Sequence, residues 1–159
     1  MDAKELHDAL GPLASLYEDE NTREIIVDGP DKVYVFSEGE LVDETKVRFD
    51  SSEEIRSIID SVLHLGGVEL DEQDNTIAEI RLTDGARFNA AIPPTAVNGP
   101  CLTIRKFPAR KLTWENLIKW KSLTTEIHEF MQATMQAGKN VLVSGGPASG
   151  KTTLANMFA

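Results

Sequence analysis

Apolar residues recur at helical spacing in two parts of the first hundred residues. Between residues 6 and 16 the leucines follow a helical period that is broken at Gly11-Pro12, which predicts a short helix, an interruption and a further helical turn. Ser51 and Glu54 have the spacing of a capping box. The apolar positions that follow lie on one helical face and stop at Gly66-Gly67, so a second helix is predicted there.

Six short apolar or alternating segments bounded by turn residues predict strands. They are residues 25–27, 33–37, 41–42, 77–82, 87–92 and 101–107. The turns at residues 28–31, Glu38-Gly39 and Asp84-Gly85 are short enough for antiparallel hairpins. The pattern therefore predicts an α/β fold, more narrowly an α+β domain with a mixed, mostly antiparallel sheet and flanking helices.

The pattern changes after residue 107, where a basic and interrupted stretch begins. A short helix is predicted at residues 113–119 and a longer one at 124–137, with Ile127, Phe130, Met131 and Met135 facing inward. Val141-Leu142-Val143 is a continuous apolar run, typical of a fully buried parallel strand. We predict an N-terminal domain over 1–107, a linker over 108–122 and the start of a second α/β domain over 123–159.

Composition limits the functions that this pattern can serve. The 159 residues carry a formal net charge of −10, which argues against a nucleic-acid or anionic-membrane partner because both need clustered lysine and arginine. Cys101 is the single cysteine and is interpreted as a buried small side chain in a reducing compartment. Without an apolar leader or a long apolar run in this sequence, we expect a cytoplasmic protein.

A phosphate-binding motif lies close to the C-terminus. Gly145, Gly150, Lys151 and Thr152 spell G-x-x-x-x-G-K-T between a predicted strand and a predicted helix. The glycines let backbone amides turn toward phosphates, and the start of a helix favours negative charge. The candidate nucleotide-binding residues are Gly145, Gly146, Pro147, Ala148, Ser149, Gly150, Lys151, Thr152 and Thr153.

The ligands expected at this motif are ATP and Mg²⁺. Lys151 is expected to reach the β and γ phosphates, and the Thr152 hydroxyl is the expected metal ligand. Ala148 stands where a glycine is common and Pro147 donates no amide, but neither change removes a group that the phosphate contacts require.

Four stretches together resemble a known family. They are REIIVDGPDKVYV, RLTDGARFNAAIPP, GPCLTIRKF with LTWENLIKW after it, and NVLVSGGPASGKTTL. In this order and spacing they resemble the motor ATPases of type II and type IV secretion, most closely the branch that assembles tight-adherence (Tad) pili. The resemblance implies a cytoplasmic hexameric ATPase, peripheral at the inner membrane, that partners the platform proteins of the secretion or pilus machinery. It also implies an N-terminal domain joined by a linker to a RecA-like domain.

The resemblance also assigns two arginines to the nucleotide site. In the family, arginines in the stretches matching DGARFN and LTIRKF reach the nucleotide phosphates, and these are Arg87 and Arg105 here. Arginine is well shaped for bidentate phosphate contacts. A solvated strand-end role is nearly as good an interpretation for Arg87. Lys106 and the basic residues after it are interpreted as an ordinary basic linker.

Hydrolysis needs an acidic residue linked to Mg²⁺ and a residue that orients water, and in the family both follow the phosphate-binding loop. We therefore expect no catalytic residue up to Ala159, and expect the chain to be an inactive N-terminal portion of a longer ATPase. The alternative is a non-catalytic regulatory or interaction domain that retains the N-terminal fold. A small nucleotide kinase fits the motif but not its position, because such enzymes carry the loop near their N-terminus.

Overall fold

The helices predicted near the N-terminus are confirmed in the computed structural model. The residues that it describes are 2–37, 39–44, 46–106, 113–146 and 149–158. Helix α1 spans Ala3–Leu10, a 3-10 turn spans Gly11–Leu13, and helix α2 spans Ala14–Glu18. The proline at the second position of the turn has no amide to donate, which explains why one helix stops there and another begins.

Helix α3 spans Ser52–Leu65 and begins at the predicted cap. The Ser51 hydroxyl accepts a hydrogen bond from the Glu54 amide at 3.3 Å. The Glu54 carboxylate accepts one from the Asp50 amide at 2.9 Å, so the returning half of the capping box reaches one residue further back than the motif requires.

The six predicted strands are all present and form one sheet. They are β1 at Thr22–Asp28, β2 at Val33–Ser37, β3 at Glu40–Asp43, β4 at Ile77–Arg81, β5 at Arg87–Ala91 and β6 at Cys101–Arg105. Their order is β3-β2-β1-β6-β5-β4. Every pairing of the described strands is antiparallel, so the mixed component of the predicted sheet is not found there.

The sheet buries one of its two faces. Alternate side chains of the strands, among them Ile25, Phe88 and Ile104, are fully buried in one core with the apolar faces of α1 and α3. The intervening positions of β4, β5 and β6 are exposed or half-buried. Because side chains alternate along a strand, every second residue of these strands lies on this second face, which we call the open face.

The chain divides into two units between residues 109 and 110. The sheet belongs to the first unit, and the second contains helices α4 at Trp114–Lys119, α5 at Thr125–Gln136 and α6 at Lys151–Asn156. The predicted linker falls partly on residues 107–112, which lie outside the described residues. The finer division at 107 and 122 therefore stays a prediction. In the described parts of the chain, no helix combines the length and the apolar character needed to cross a membrane.

Two predictions for the second unit are wrong. Residues 141–143 form no strand, and Leu142 is 92% exposed. The face of α5 that was predicted to point inward is also open, with Phe130 72% exposed. A buried parallel strand needs neighbouring strands for its backbone hydrogen bonds, and the described residues of this unit include none. The apolar residues at 141–143 and on α5 favour burial, but the described residues of this unit do not bury them.

Candidate functional site

The loop between residue 144 and helix α6 has the backbone that its glycines predict. Gly150 has φ of +84°, a left-handed conformation that residues with a Cβ adopt only at a cost. Helix α6 begins at the next residue, and its first hydrogen bond runs from the Leu154 amide to the Gly150 carbonyl at 2.8 Å. A turn closes the loop through the Ser149 amide and the Gly146 carbonyl at 3.4 Å.

The loop is also tightly folded on itself at its first glycine. A Cβ added at Gly145 would lie 2.6 Å from the Ser149 hydroxyl oxygen, which is too short for any real contact. At Gly146 nothing lies within 4 Å of such an atom. The Ser149 hydroxyl is the mobile end of a side chain and can rotate away, so the contact at Gly145 is relieved by a change of rotamer, whereas at Gly146 the backbone is open to a ligand.

The polar groups of the motif lie along this loop. The Lys151 ammonium donates a hydrogen bond to the Gly146 carbonyl oxygen, so the cation is held against the loop. The residues that follow it, Thr152 and Thr153, are exposed. The predicted positions Pro147 and Ala148 lie outside the described residues. An exposed glycine loop with a cation and a hydroxyl has the donor set for a phosphate chain and a magnesium ion.

The two predicted arginines are neighbours in the sheet. Arg87 on β5 and Arg105 on β6 are direct cross-strand partners. Both are exposed, and both lie on the open face. The loop at residues 92–100 separates their strands in the sequence, and the strand register brings them side by side. They belong to the first unit and the loop to the second, and each group is described by itself.

A cluster that the sequence analysis missed holds the strand ends next to these arginines. The Tyr17 hydroxyl donates a 2.6 Å hydrogen bond to Asp84 Oδ2, and Asp84 Oδ1 accepts from the Ala86 amide at 2.9 Å. Lys106 Nζ donates to the Asp19 carbonyl at 2.7 Å and lies 5.5 Å from the centre of the Tyr17 ring. Asp84 precedes Arg87 by three residues, and Lys106 directly follows Arg105.

Electrostatics in this cluster follow from its burial. Partial burial is the main cause that raises the pKa of Tyr17 far above its ordinary value, and the Asp84 carboxylate adds to the shift. Partial burial also lowers the pKa of Lys106. Lys106 was interpreted as an ordinary linker residue, and its contacts with Tyr17 and Asp19 make that interpretation wrong. No local sequence pattern predicts the hydrogen bond between Tyr17 and Asp84, because the two residues lie 67 positions apart in the sequence.

Cys101 does not occupy the fully buried position predicted for it. It is a free, half-buried cysteine on the open face of β6. Burial raises the pKa of its thiol, and the Asp28 carboxylate raises it further. A thiol with a raised pKa stays protonated at neutral pH, and a protonated thiol is a poor nucleophile.

A family model described as type II/IV secretion system protein matches residues 7–158. The chain belongs to this family. The match covers both units, so the predicted family is confirmed on more than its phosphate-binding motif. The narrower assignment to the tight-adherence branch stays a prediction.

Relatives of this family member come from different organisms. An uncharacterised protein of Methanocaldococcus jannaschii is 33% identical over 156 residues, which are 94% of this chain and 21% of that protein. The conjugal transfer protein TrbB of Rhizobium radiobacter is 29% identical over 154 residues, which are 96% of this chain and 47% of that protein. The chain thus spans about a fifth of the first relative and about half of the second.

A solved structure supports the fold. The VirB11 ATPase of the Brucella suis type IV secretion system superposes with a TM-score of 0.60 at 20% identity. The match covers 98% of this chain and 53% of that chain. The α/β architecture with an antiparallel sheet is therefore the fold of a secretion ATPase N-terminal region.

Proposed function

We propose that this chain is the nucleotide-binding N-terminal portion of a secretion or pilus-assembly motor ATPase. The observation that carries the proposal is the loop, in which the left-handed Gly150 is followed directly by Lys151 and Thr152 at the start of a helix. Family membership over residues 7–158 supports the same assignment.

Each group of the loop has a role in this proposal. The backbone amides of the loop and the Lys151 ammonium bind the phosphate chain of ATP. The Thr152 hydroxyl holds Mg²⁺, which when bound neutralises charge on the β and γ phosphates. Gly150 lets the loop fold tightly enough for its amides to approach the phosphates. Pro147 and Ala148 stay predicted positions of the motif.

Arg87 and Arg105 supply further positive charge from the N-terminal domain. Two guanidinium groups side by side can contact several phosphate oxygens, since each presents a planar fork of donors. Charge supplied at a transferring phosphoryl group is the main way in which such enzymes accelerate hydrolysis.

The wider setting of the proposal follows the family. We place the N-terminal domain at 1–107, a linker at 108–122 and the start of a RecA-like domain at 123–159. The acidic residue and the water-orienting residue needed for hydrolysis lie past Ala159 in the parent enzyme. The parent is a hexamer that works on the cytoplasmic side of the inner membrane with a secretion or pilus platform, and we assign it to the tight-adherence branch.

The test begins with the DNA downstream of the Ala159 codon. We expect a reading frame in which an apolar strand ends in an acidic residue. ATP hydrolysis is then measured in the protein encoded by that frame, with the natural sequence and with Lys151→Ala. Loss of the lysine should reduce turnover by about 10²-fold or more, the size found when one charged transition-state contact is removed.

The matched control is Lys139→Ala, which removes the same charge from an exposed position in the second unit. Equal turnover of both variants would contradict the role of Lys151. A downstream sequence without the acidic residue would instead favour the alternative, a non-catalytic interaction domain that retains the N-terminal fold.

A further inference from the structure

A third arginine stands in line with the two arginines already assigned. Arg81 on β4 is the direct cross-strand partner of Arg87, which in turn is the partner of Arg105 on β6. All three are exposed on the open face. Since neighbouring strands lie about 4.8 Å apart, the three backbone positions span about 10 Å. We call Arg81, Arg87 and Arg105 the arginine row.

No carboxylate among the residues that the structure describes lies within salt-bridge distance of the arginine row. Two of the three other described arginines of the first unit, Arg48 and Arg56, find carboxylate partners, whereas Arg23 has none among the described residues. Arg48 lies 3.0 Å from Asp43, and Arg56 lies 2.9 Å from Asp60. The sequence has 26 acidic residues and 16 basic ones, so the unpaired row does not result from a shortage of carboxylates.

Like charges placed directly opposite each other destabilise a sheet. Two such pairs occur in succession here, Arg81 with Arg87 and Arg87 with Arg105. Within the described sheet, only the Arg105 end of the row has a carboxylate, that of Glu24, as a direct cross-strand neighbour, and a local rule that is broken with so little compensation is typical of a functional site. A negatively charged ligand that contacts all three guanidinium groups would supply the rest of the compensation.

The carboxylates around the row limit the size of that ligand. Glu24 on β1 is the cross-strand partner of Arg105 on its other side. Glu79 lies two residues before Arg81 and is exposed on the same face. An extended polyanion such as a nucleic acid would meet these carboxylates and the acidic surface beyond them. The strip of positive charge fits a short and highly charged anion.

We propose that Arg81 completes a three-arginine row that binds the phosphate chain of a nucleoside triphosphate. The identity of the anion rests on the proposed function, whereas the role of Arg81 rests on the strand register. Three planar forks on adjacent strands can engage the non-bridging oxygens of successive phosphates at once. Arg81 is the outermost contact, since it lies on the edge strand of the sheet.

The experiment is an NMR titration of isotope-labelled residues 1–159 at physiological ionic strength without metal ions. The ligands are sodium tripolyphosphate, ATP and adenosine. Tripolyphosphate and ATP should shift the amide and guanidinium signals of Arg81, Arg87 and Arg105 to a similar extent, and adenosine should not shift them. The amides of residues 145–152 report on the phosphate-binding loop in the same spectra.

The variant that tests the proposal is Arg81→Gln, which removes the charge and leaves a shorter polar side chain. Affinity of the row for tripolyphosphate should fall about two- to fivefold, the effect of losing one exposed ion pair. Lys32→Gln removes the same charge from the exposed turn after β1 and should leave the affinity unchanged, because salt screens distant charges. Arg81→Lys should retain part of the affinity.

Thermal unfolding separates this role from a structural one. Because Arg81→Gln relieves a like-charge pair, its melting temperature should not fall below that of the natural sequence. The proposal is overturned if tripolyphosphate shifts the signals of Arg87 and Arg105 equally in Arg81→Gln and in the natural sequence. It is also overturned if adenosine alone shifts the signals of the arginine row. Shifts confined to residues 145–152 overturn it and leave the proposed function standing. Shifts confined to the row support it and count against the loop.

Discussion

The hydrogen bond between Tyr17 and Asp84 offers a test of how the arginine-bearing strands are held. Tyr17→Phe removes one hydroxyl and leaves the ring in place, so the contact of the ring with Lys106 is retained. Asp84 keeps its second bond to the Ala86 amide. The substitution therefore deletes a single interaction between helix α2 and the turn that leads into β5.

The expected loss follows from the partners. A hydrogen bond to a charged group contributes about 1.5–3 kcal/mol when it is shielded. Asp84 is exposed and regains water when Tyr17 is lost, so we expect about 1 kcal/mol. For a domain of this size that loss lowers the melting temperature by roughly 4–8 °C.

The assay is thermal unfolding followed by circular dichroism at neutral pH. Tyr34→Phe is the matched control, since Tyr34 is half-buried in β2 and its hydroxyl has no hydrogen-bond partner among the described residues. We expect Tyr34→Phe to melt with the natural sequence and Tyr17→Phe to melt below it. If the two variants melt at the same temperature, the Tyr17 hydrogen bond does not stabilise the first unit.

The same interaction predicts a dependence on alkaline pH. The pKa of Tyr17 is raised in the folded state, so the unfolded chain loses this proton first, at a pKa of about 10. The stability contributed by Tyr17 is fully present below that pH and is lost as the pH rises toward the folded pKa. The stability difference between the natural sequence and Tyr17→Phe should therefore narrow above pH of about 10.

Three further predictions concern activity and the second unit. In the proposed parent ATPase, Arg105→Gln should reduce turnover far more than Lys32→Gln, and equal effects would make Arg105 structural. Lys106 packs on Tyr17 and is therefore not a neutral control. Calorimetry on residues 1–159 should give Mg·ATP binding weaker than micromolar and no turnover, and micromolar affinity would refute this. Light scattering should show that residues 1–159 associate more than residues 1–122, since Phe130 is exposed, and limited proteolysis should cut near residue 122. A monomeric 1–159 that resists proteolysis along its whole length would contradict both expectations.

The fold of the first unit could be predicted from local patterns because its core is closed by its own elements. The alternation of apolar residues and the turn residues between them give all six strands. The cap at Ser51 and the glycines after Leu65 give the bounds of α3. What the pattern does not contain is the strand order, since β1 pairs with β6 across a long stretch of sequence.

The second unit was predicted less well for a related reason. Helices α4, α5 and α6 begin near the predicted residues because capping is local, as at Thr113 and Thr124. The burial of Leu142 and of the apolar face of α5 depends on partner elements instead. Periodicity identifies a face that favours burial, but whether it is buried depends on what the rest of the chain supplies.

The candidate functional residues show the same difference between local and long-range features. The phosphate-binding loop is a local motif, and its left-handed Gly150 could be predicted from the sequence alone. The arginine row depends on register, although one signal was available. Arg81 and Arg87 stand three residues before and three after Asp84, so a hairpin centred on that residue must pair them. The third member, Arg105, required the β5–β6 pairing.

This difference explains why the loop and the arginine row can be tested independently. A substitution at Gly150 changes backbone conformation over a few residues, because its φ of +84° favours glycine. Substitutions in the arginine row change only exposed charge on a sheet whose core lies on its opposite face. A variant of Arg81 therefore alters anion binding without altering the fold, whereas a variant of Phe88, the buried cross-strand partner of Ile80, alters both. If Arg81→Gln lowers the affinity for the anion and leaves the melting temperature unchanged, the lost affinity is due to a contact on the open face of the sheet.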